Sequence, residues 1–142
     1  MSYYDEIRAA LEVALTGVTD VPAIAWENVK YTPQTGTSYI QVRYIPTARR
    51  PAVRGLNPQQ RYQGVLQLLV RIPEGSGPAA SHTITSNILD TFEATTDLSF
   101  TNTDGQTVYV TIDYAEQVGA YTESPWYTTP INIGWYSYGP CP

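Results

Sequence analysis

The chain reads as a single α+β domain over residues 1–142. The expected architecture is a mostly antiparallel sheet of about five to six strands with two helices packed on one face, in the order α-β-β-β-α-β-β-β. Three observations predict it. Two segments repeat apolar residues at helical spacing. Several other runs alternate apolar and polar residues with period two. Clusters of Gly, Pro and Asp-Gly punctuate the runs, and no internal repeat or linker divides the chain. Helices at the first and fifth positions of such an order are best accommodated as one layer over the sheet. A chain of 142 residues can bury roughly two thirds of its unfolded surface in one core.

The first helix is expected over about Tyr3 to Thr16. Ser2 suits the N-cap, and Asp5 and Glu6 place negative charge in the first turn, where the helix dipole favours it. Ile7, Ala10, Leu11, Ala14, Leu15 and Val18 form the apolar stripe, with Arg8, Glu12 and Thr16 opposite; Gly17 and Pro22 end the helix. A short strand around Trp26 is expected from Ala23 to Lys30. Ser38 to Thr47 follows, alternating Ile40, Val42 and Tyr44 against Gln41, Arg43 and Ile45. Residues 48–58 contain Arg49, Arg50, Pro51, Arg54, Gly55 and Pro58, a composition of an exposed loop or hairpin tip.

The next strand, Gln60 to Ile72, places Tyr62, Gly64, Leu66, Leu68, Val70 and Ile72 on one face. Its other face mixes Val65 and Leu69 with Gln63, Gln67 and Arg71, the pattern of a central strand partly covered on both sides. Pro73-Glu-Gly-Ser-Gly-Pro78 breaks the chain before a second helix. There Ile84, Ile88 and Phe92 recur every fourth residue beside Leu89, while Asp90, Glu93 and Asp97 face outward. Leu98 to Thr103 and Gln106 to Tyr114 read as a hairpin on a type I′ Asp104-Gly105 turn. A last strand, roughly Thr128 to Tyr138, carries Ile131, Ile133 and Trp135 on one face.

Charge is unevenly distributed. Lys30, Arg43, Arg49, Arg50, Arg54, Arg61 and Arg71 all fall between residues 28 and 73, where there is no Asp or Glu, a local charge of +7. The remainder sets Arg8 against thirteen carboxylates, −12, and the two parts sum to −5. A folded subunit with such segregation can have one basic and one acidic surface, and opposite surfaces on identical chains attract each other. Charged residues are only 15% of the chain while Tyr alone numbers twelve, so the exterior is largely neutral and hydroxyl-rich. No cationic region followed by an apolar core begins the chain, and no apolar run approaches the roughly 20 residues that span a bilayer. The single Cys141 has no internal partner, and folding in a reducing cytoplasm is expected.

Catalytic chemistry finds little support. His82, the one histidine, lies in the first turn of the second helix without Cys or carboxylate partners at metal-binding spacing, and reads as a solvated or capping residue. A Ser-His-Asp or Cys-His site would need it as base, yet there is no Gly-x-Ser-x-Gly elbow. The Gly-rich turn after Glu74 lacks the Lys-Ser/Thr ending of a phosphate-binding loop. Asp113 and Glu116 show no pairing of the glycosidase kind. No catalytic, cofactor or metal residue is assigned, and an enzyme is not expected.

Two features remain. The arginines Arg49, Arg50, Arg54 and Arg61 could meet phosphates or a protein's carboxylates, or be a solvated loop. Tyr114, Tyr121, Trp126, Tyr127, Trp135, Tyr136 and Tyr138 could form a sugar-stacking platform or a protein interface, although half or more suit a core.

The stretch Tyr62 to Phe92, with an early Gly64, Arg71-Ile-Pro-Glu-Gly-Ser-Gly-Pro78, and a helix closing on Ile88-Leu-Asp-Thr-Phe92, resembles the tail terminator family of long-tailed bacteriophages. Element order extends the resemblance over most of the chain. The resemblance implies a structural virion protein that forms a ring, expected to be a homohexamer. That ring caps the tail tube, stops its polymerisation and presents the head-joining surface. Its partners would be itself, the tail tube protein and the head-tail connector protein, with DNA passing through the hole without specific binding and no membrane. It would sit at the head-proximal end of the virion tail after assembly in the host cytoplasm. Gly64, Pro73, Gly75, Gly77 and Phe92 match the family as fold residues.

A ring uses heterologous contacts between different faces of neighbouring subunits, and segregated charge suits them. Arg43, Arg49, Arg50, Arg54, Arg61 and Arg71 are the candidate subunit or tube interface, with carboxylates toward the hole. The alternatives are a phage neck or head-completion connector protein and a carbohydrate-binding module. A single-strand nucleic-acid binder is disfavoured by the net charge of −5.

Overall fold

The computed structural model describes residues 3–34, 36–51, 60–75, 77 and 79–139. Ser2, Arg54, Gly55, Pro58, Pro78 and Cys141, each singled out above, lie outside them. The described residues form two helices and a mostly antiparallel seven-stranded sheet.

Helix α1, Tyr3–Thr16, buries Ile7, Ala10, Leu11 and Leu15. On its exposed side Arg8 bridges Asp5 at 3.5 Å and Glu12 at 2.9 Å. The Gly17 amide closes the last turn on the carbonyls of Val13 and Ala14. Strand β1, Ala23–Ala25, is shorter than expected. Trp26 lies beyond it, and Asn28 adopts a left-handed φ of 58°, which turns the chain where Ala23 to Lys30 was expected to stay extended.

Strand β2, Tyr39–Pro51, pairs antiparallel with β3, Gln60–Pro73, through a register shift between Pro46 and Ala48. Residues 48–51, expected as loop, are strand. Their partners in β3 are themselves held by the far end of β7, so the ladder continues despite the arginines. In β3, Tyr62, Leu66, Leu68, Val70 and Ile72 are all buried, as the alternation predicts.

Helix α2, Ala79–Thr91, packs on the core through the expected Ile84-Ile88-Phe92 face. Ser81, Thr85 and Ile88 are its buried residues, followed by Phe92, whereas Ile84 is only half-buried. The Ser81 and Thr129 hydroxyls lie 2.7 Å apart, so this helix meets the sheet partly through a buried polar contact that apolar spacing does not reveal.

Strands β4, Asp97–Thr101, and β5, Thr107–Gln117, form the expected hairpin, but on a different turn. Gly105 has φ +81° while Asp104 is not left-handed. The Gly105 amide donates to the Asn102 carbonyl and the Asn102 amide to the Gln106 carbonyl. This is a type I turn with a glycine bulge, not the two-residue type I′ turn.

Strand β7, Trp126–Gly139, starts earlier than expected and pairs with a strand that was not expected, β6, Tyr121–Glu123. The order therefore has one more strand than α-β-β-β-α-β-β-β. β6 is exposed along its whole length, so it carries no alternation to betray it.

Across the sheet the order is β1-β2-β3-β7-β5-β4, with β6 beside the start of β7. Only the β1–β2 pair is parallel. Ile7, Leu11 and Leu15 of α1 and Ile88 of α2 share one apolar core with Leu66, Leu68, Ile131, Ile133 and Trp135 of the sheet. Gly64 makes room in it: a Cβ there would lie 2.5 Å from the Ile45 carbonyl oxygen and 2.6 Å from the Trp135 ring. Trp135 stacks in turn on Tyr44, 5.5 Å between centroids.

Candidate functional site

Residues directly opposite one another on paired strands share a face of the sheet. The register therefore places Arg43, Arg50, Arg61 and Arg71 together on the outer face, away from the apolar core, and puts Arg49, opposite Tyr62, on the other. The five candidate arginines among the described residues do not form one cluster. Arg43 is exposed and donates to the Gln67 side-chain oxygen at 3.3 Å. Gln67 donates to the Asn132 side-chain oxygen at the same distance, so a polar row crosses three strands. Arg49 and Arg50 are exposed near the distal end of the β2–β3 pair. Arg61 lies over the Tyr136 ring at 4.5 Å, a cation–π geometry. Arg54 is outside the described residues.

Arg71 behaves differently from the others. It is buried, donates to Gln41 and Thr128, and ion-pairs with Glu123 at 3.5 Å. Beside this end of the sheet Tyr39 meets Trp126 edge-on at 5.2 Å and Tyr31 at 5.1 Å, a small second core. Arg71 thus fastens β3 to β2, β7 and the β6 hairpin within the subunit.

The carboxylates fall elsewhere. Asp113 and Glu116 are exposed on β5, Glu116 opposite Asn132 on the outer face. Charge on this face consequently changes sign across its width, from the arginines of β2 and β3 to the carboxylates of β5. The sign change follows strand order and could not be read from the chain alone, because β7 inserts between the basic and acidic strands. Glu12, Asp20, Asp90 and Glu93 decorate the helix side and its connections.

Of the aromatic residues singled out in sequence, Trp126 and Trp135 are buried, while Tyr114, Tyr121 and Tyr138 are exposed, together with Tyr109 at 62%. Tyr114 lies flat over Gly134, where any Cβ would meet its ring. Trp126 and Trp135 therefore present little ring surface to solvent, and the exposed aromatic area comes from tyrosines. Burial raises the Tyr3 and Tyr44 phenol pKa values above the usual tyrosine range, Tyr44 the more strongly. Tyr3 bonds to Ser137, whose hydroxyl also donates to the Tyr109 carbonyl.

His82 is exposed on α2, and among the described residues no group of His, Cys, Asp and Glu could hold a metal ion. The Glu74 turn is tied down structurally: its amide donates to the Pro125 carbonyl, and its carboxylate accepts from Ser124 at 2.7 Å. An open concavity of about 650 Å³ between the start of α1 and the ends of β5 and β7 contains Glu6, which is buried and accepts from the Asn102 side chain at 2.8 Å. Glu6 is thus engaged in holding the β4–β5 turn against α1. No helix of the described residues is long and apolar enough to cross a membrane.

No curated protein matches the chain. Several solved structures match the chain; one of them is similar over 100% of this chain and 99% of its own, with a TM-score of 0.69 and 24% identity, which shows a common fold. The family described as phage tail terminator protein matches residues 6–135, a span that runs from the first helix through the middle of β7. The chain therefore belongs to the phage tail terminator family and is a structural protein of the bacteriophage tail.

Proposed function

We propose that this protein caps the tail tube as a homohexameric ring, halts tube polymerisation and presents the surface to which the head-tail connector protein joins. It acts at the head-proximal end of the tail, and the ring is built in the host cytoplasm. The family match over residues 6–135 carries this reading. The sheet supports it through an outer face whose two sides differ in sign, since a ring needs one surface of each subunit to meet a different surface of the next. Its passage for DNA requires no nucleic-acid site, and a net charge of −5 favours sliding over retention of a polyanion.

The test combines native mass measurement of the protein with addition of purified tail tubes and excess tube subunits. The expected outcome is a six-copy ring, free or on tube ends, and tubes that no longer elongate. A protein that stays monomeric and leaves elongation unchanged would refute the proposal.

A further inference from the structure

Building on the ring reading, we propose that neighbouring copies join edge to edge, residues 42–46 of β2 in one copy lying against residues 113–117 of β5 in the next, with Arg43 facing Glu116. Four observations point to this pairing of edges.

Neither edge has a strand partner at these positions among the described residues. β1 covers β2 only at residues 39–41, and β4 covers β5 only at residues 107–111. Ile112 then closes with Thr95 and Thr96, leaving residues 113–117 with β7 on one side and no strand on the other.

The two open stretches stand at the same height. Arg43 is opposite Gln67, Gln67 opposite Asn132, and Asn132 opposite Glu116. Copies joined through them need no displacement along the strands, which is the condition for a closed ring instead of a helical filament.

Strand direction also agrees. Three successive antiparallel pairings separate β2 from β5, so they run in opposite senses. When a ring axis lies along the strands, β5 of the next copy meets β2 as an antiparallel neighbour, and the outer faces of both sheets continue into each other.

Charge is complementary. Arg43 has a neutral partner within its own subunit, Gln67, while Asp113 and Glu116 are exposed carboxylates without an ion pair among the described residues.

The β2 edge is also guarded in the separate subunit. The Tyr44 amide donates to the Glu27 carboxylate at 2.5 Å, and Pro46 has no amide to offer. Such devices keep exposed edges from pairing indiscriminately. Glu27 sits on an exposed turn and gives way when β5 of the next copy arrives.

Disulfide capture tests the contact. In a Cys141→Ser background, which removes the native thiol, Arg43→Cys is combined with Glu116→Cys. Within one subunit these positions are three strand spacings apart, about 14 Å, beyond the roughly 7 Å a disulfide tolerates. Oxidation after tube addition is expected to give a ladder of covalent multimers, while an Arg43→Cys/Glu93→Cys control gives none. In parallel, Arg43→Glu and Glu116→Arg are each expected to weaken assembly at least tenfold, and the two together in one chain to restore most of it. If the unmodified protein caps tubes but the ladder is absent, equals the control, or the paired reversal restores nothing, the edge contact is overturned and the capping function stands. If the unmodified protein neither assembles nor caps, the function falls and the contact falls with it.

Discussion

Strand β3 has two faces that answer to different physics. Toward the helices, Leu66, Leu68, Val70 and Ile72 are at most 2% exposed and lie in the common core. On the opposite face Arg61, Gln63, Val65, Gln67 and Leu69 are only half-buried, and their polar members reach sideways to Tyr136, Asn132 and Arg43. The first face derives its stability from apolar area removed from water. The second is held by lateral contacts of small net worth, which leaves it free to carry charge and tyrosine for recognition. A strand central to the sheet thus serves as scaffold on one side and surface on the other.

Deleting side chains on the two faces should break the symmetry of adjacent leucines. Leu68→Ala is expected to cost about 3–4 kcal/mol, because it leaves a cavity in a packed core. Leu69→Ala should cost about 1 kcal/mol, in line with its partial burial. Urea unfolding of both variants measures this, and equal losses would show that the outer face is also sealed.

Two glycines sharpen the contrast. Gly64→Ala pushes a methyl against the Ile45 backbone and Trp135, and is expected to destabilise by about 2–3 kcal/mol. Gly134→Ala sets a methyl against the Tyr114 ring, which can swing into solvent, so the loss in unfolding free energy should stay within about 1 kcal/mol.

Much of this was legible in the sequence where one physical requirement dominates. Alternation in β3 identified its inner face because every second residue had to leave water, and α1 showed its buried stripe for the same reason. The α2 face read from Ile84, Ile88 and Phe92 does pack on the core, but the burial of Ser81 escaped notice because it rests on a hydroxyl pair with Thr129, a contact across 48 positions that no local pattern encodes. β6 escaped notice because three exposed residues leave no periodic trace. The arginines were identified as a group from their sequence clustering, but pairing register decides their fates. A register shift between Pro46 and Ala48 puts Arg50, instead of Arg49, on the face of Arg43, and Arg71 becomes an internal fastener.

The smallest expected effect concerns pH on the covered side. Burial, then the neighbouring Tyr4, raises the Tyr44 phenol pKa above its unfolded value, with Arg8 opposing. Stability from keeping that phenol neutral is complete below about pH 10 and is lost as pH rises toward the higher folded value. Unfolding midpoints measured from pH 8 to 11 should therefore fall more steeply for wild type than for Tyr44→Phe. Parallel curves would remove Tyr44 from the alkaline response.

The strand order has a consequence for how each copy comes into being. β7, the last strand in the chain, lies between β3 and β5 at the centre of the sheet, and the Tyr3 hydroxyl reaches Ser137 across 134 positions. Until β7 is synthesised, no strand lies between the β2–β3 and β4–β5 hairpins, and the central strand pairings must wait for the closure of very long loops. A chain still emerging from the ribosome cannot display the completed sheet, so truncated or nascent copies lack a surface that could be built into a tail.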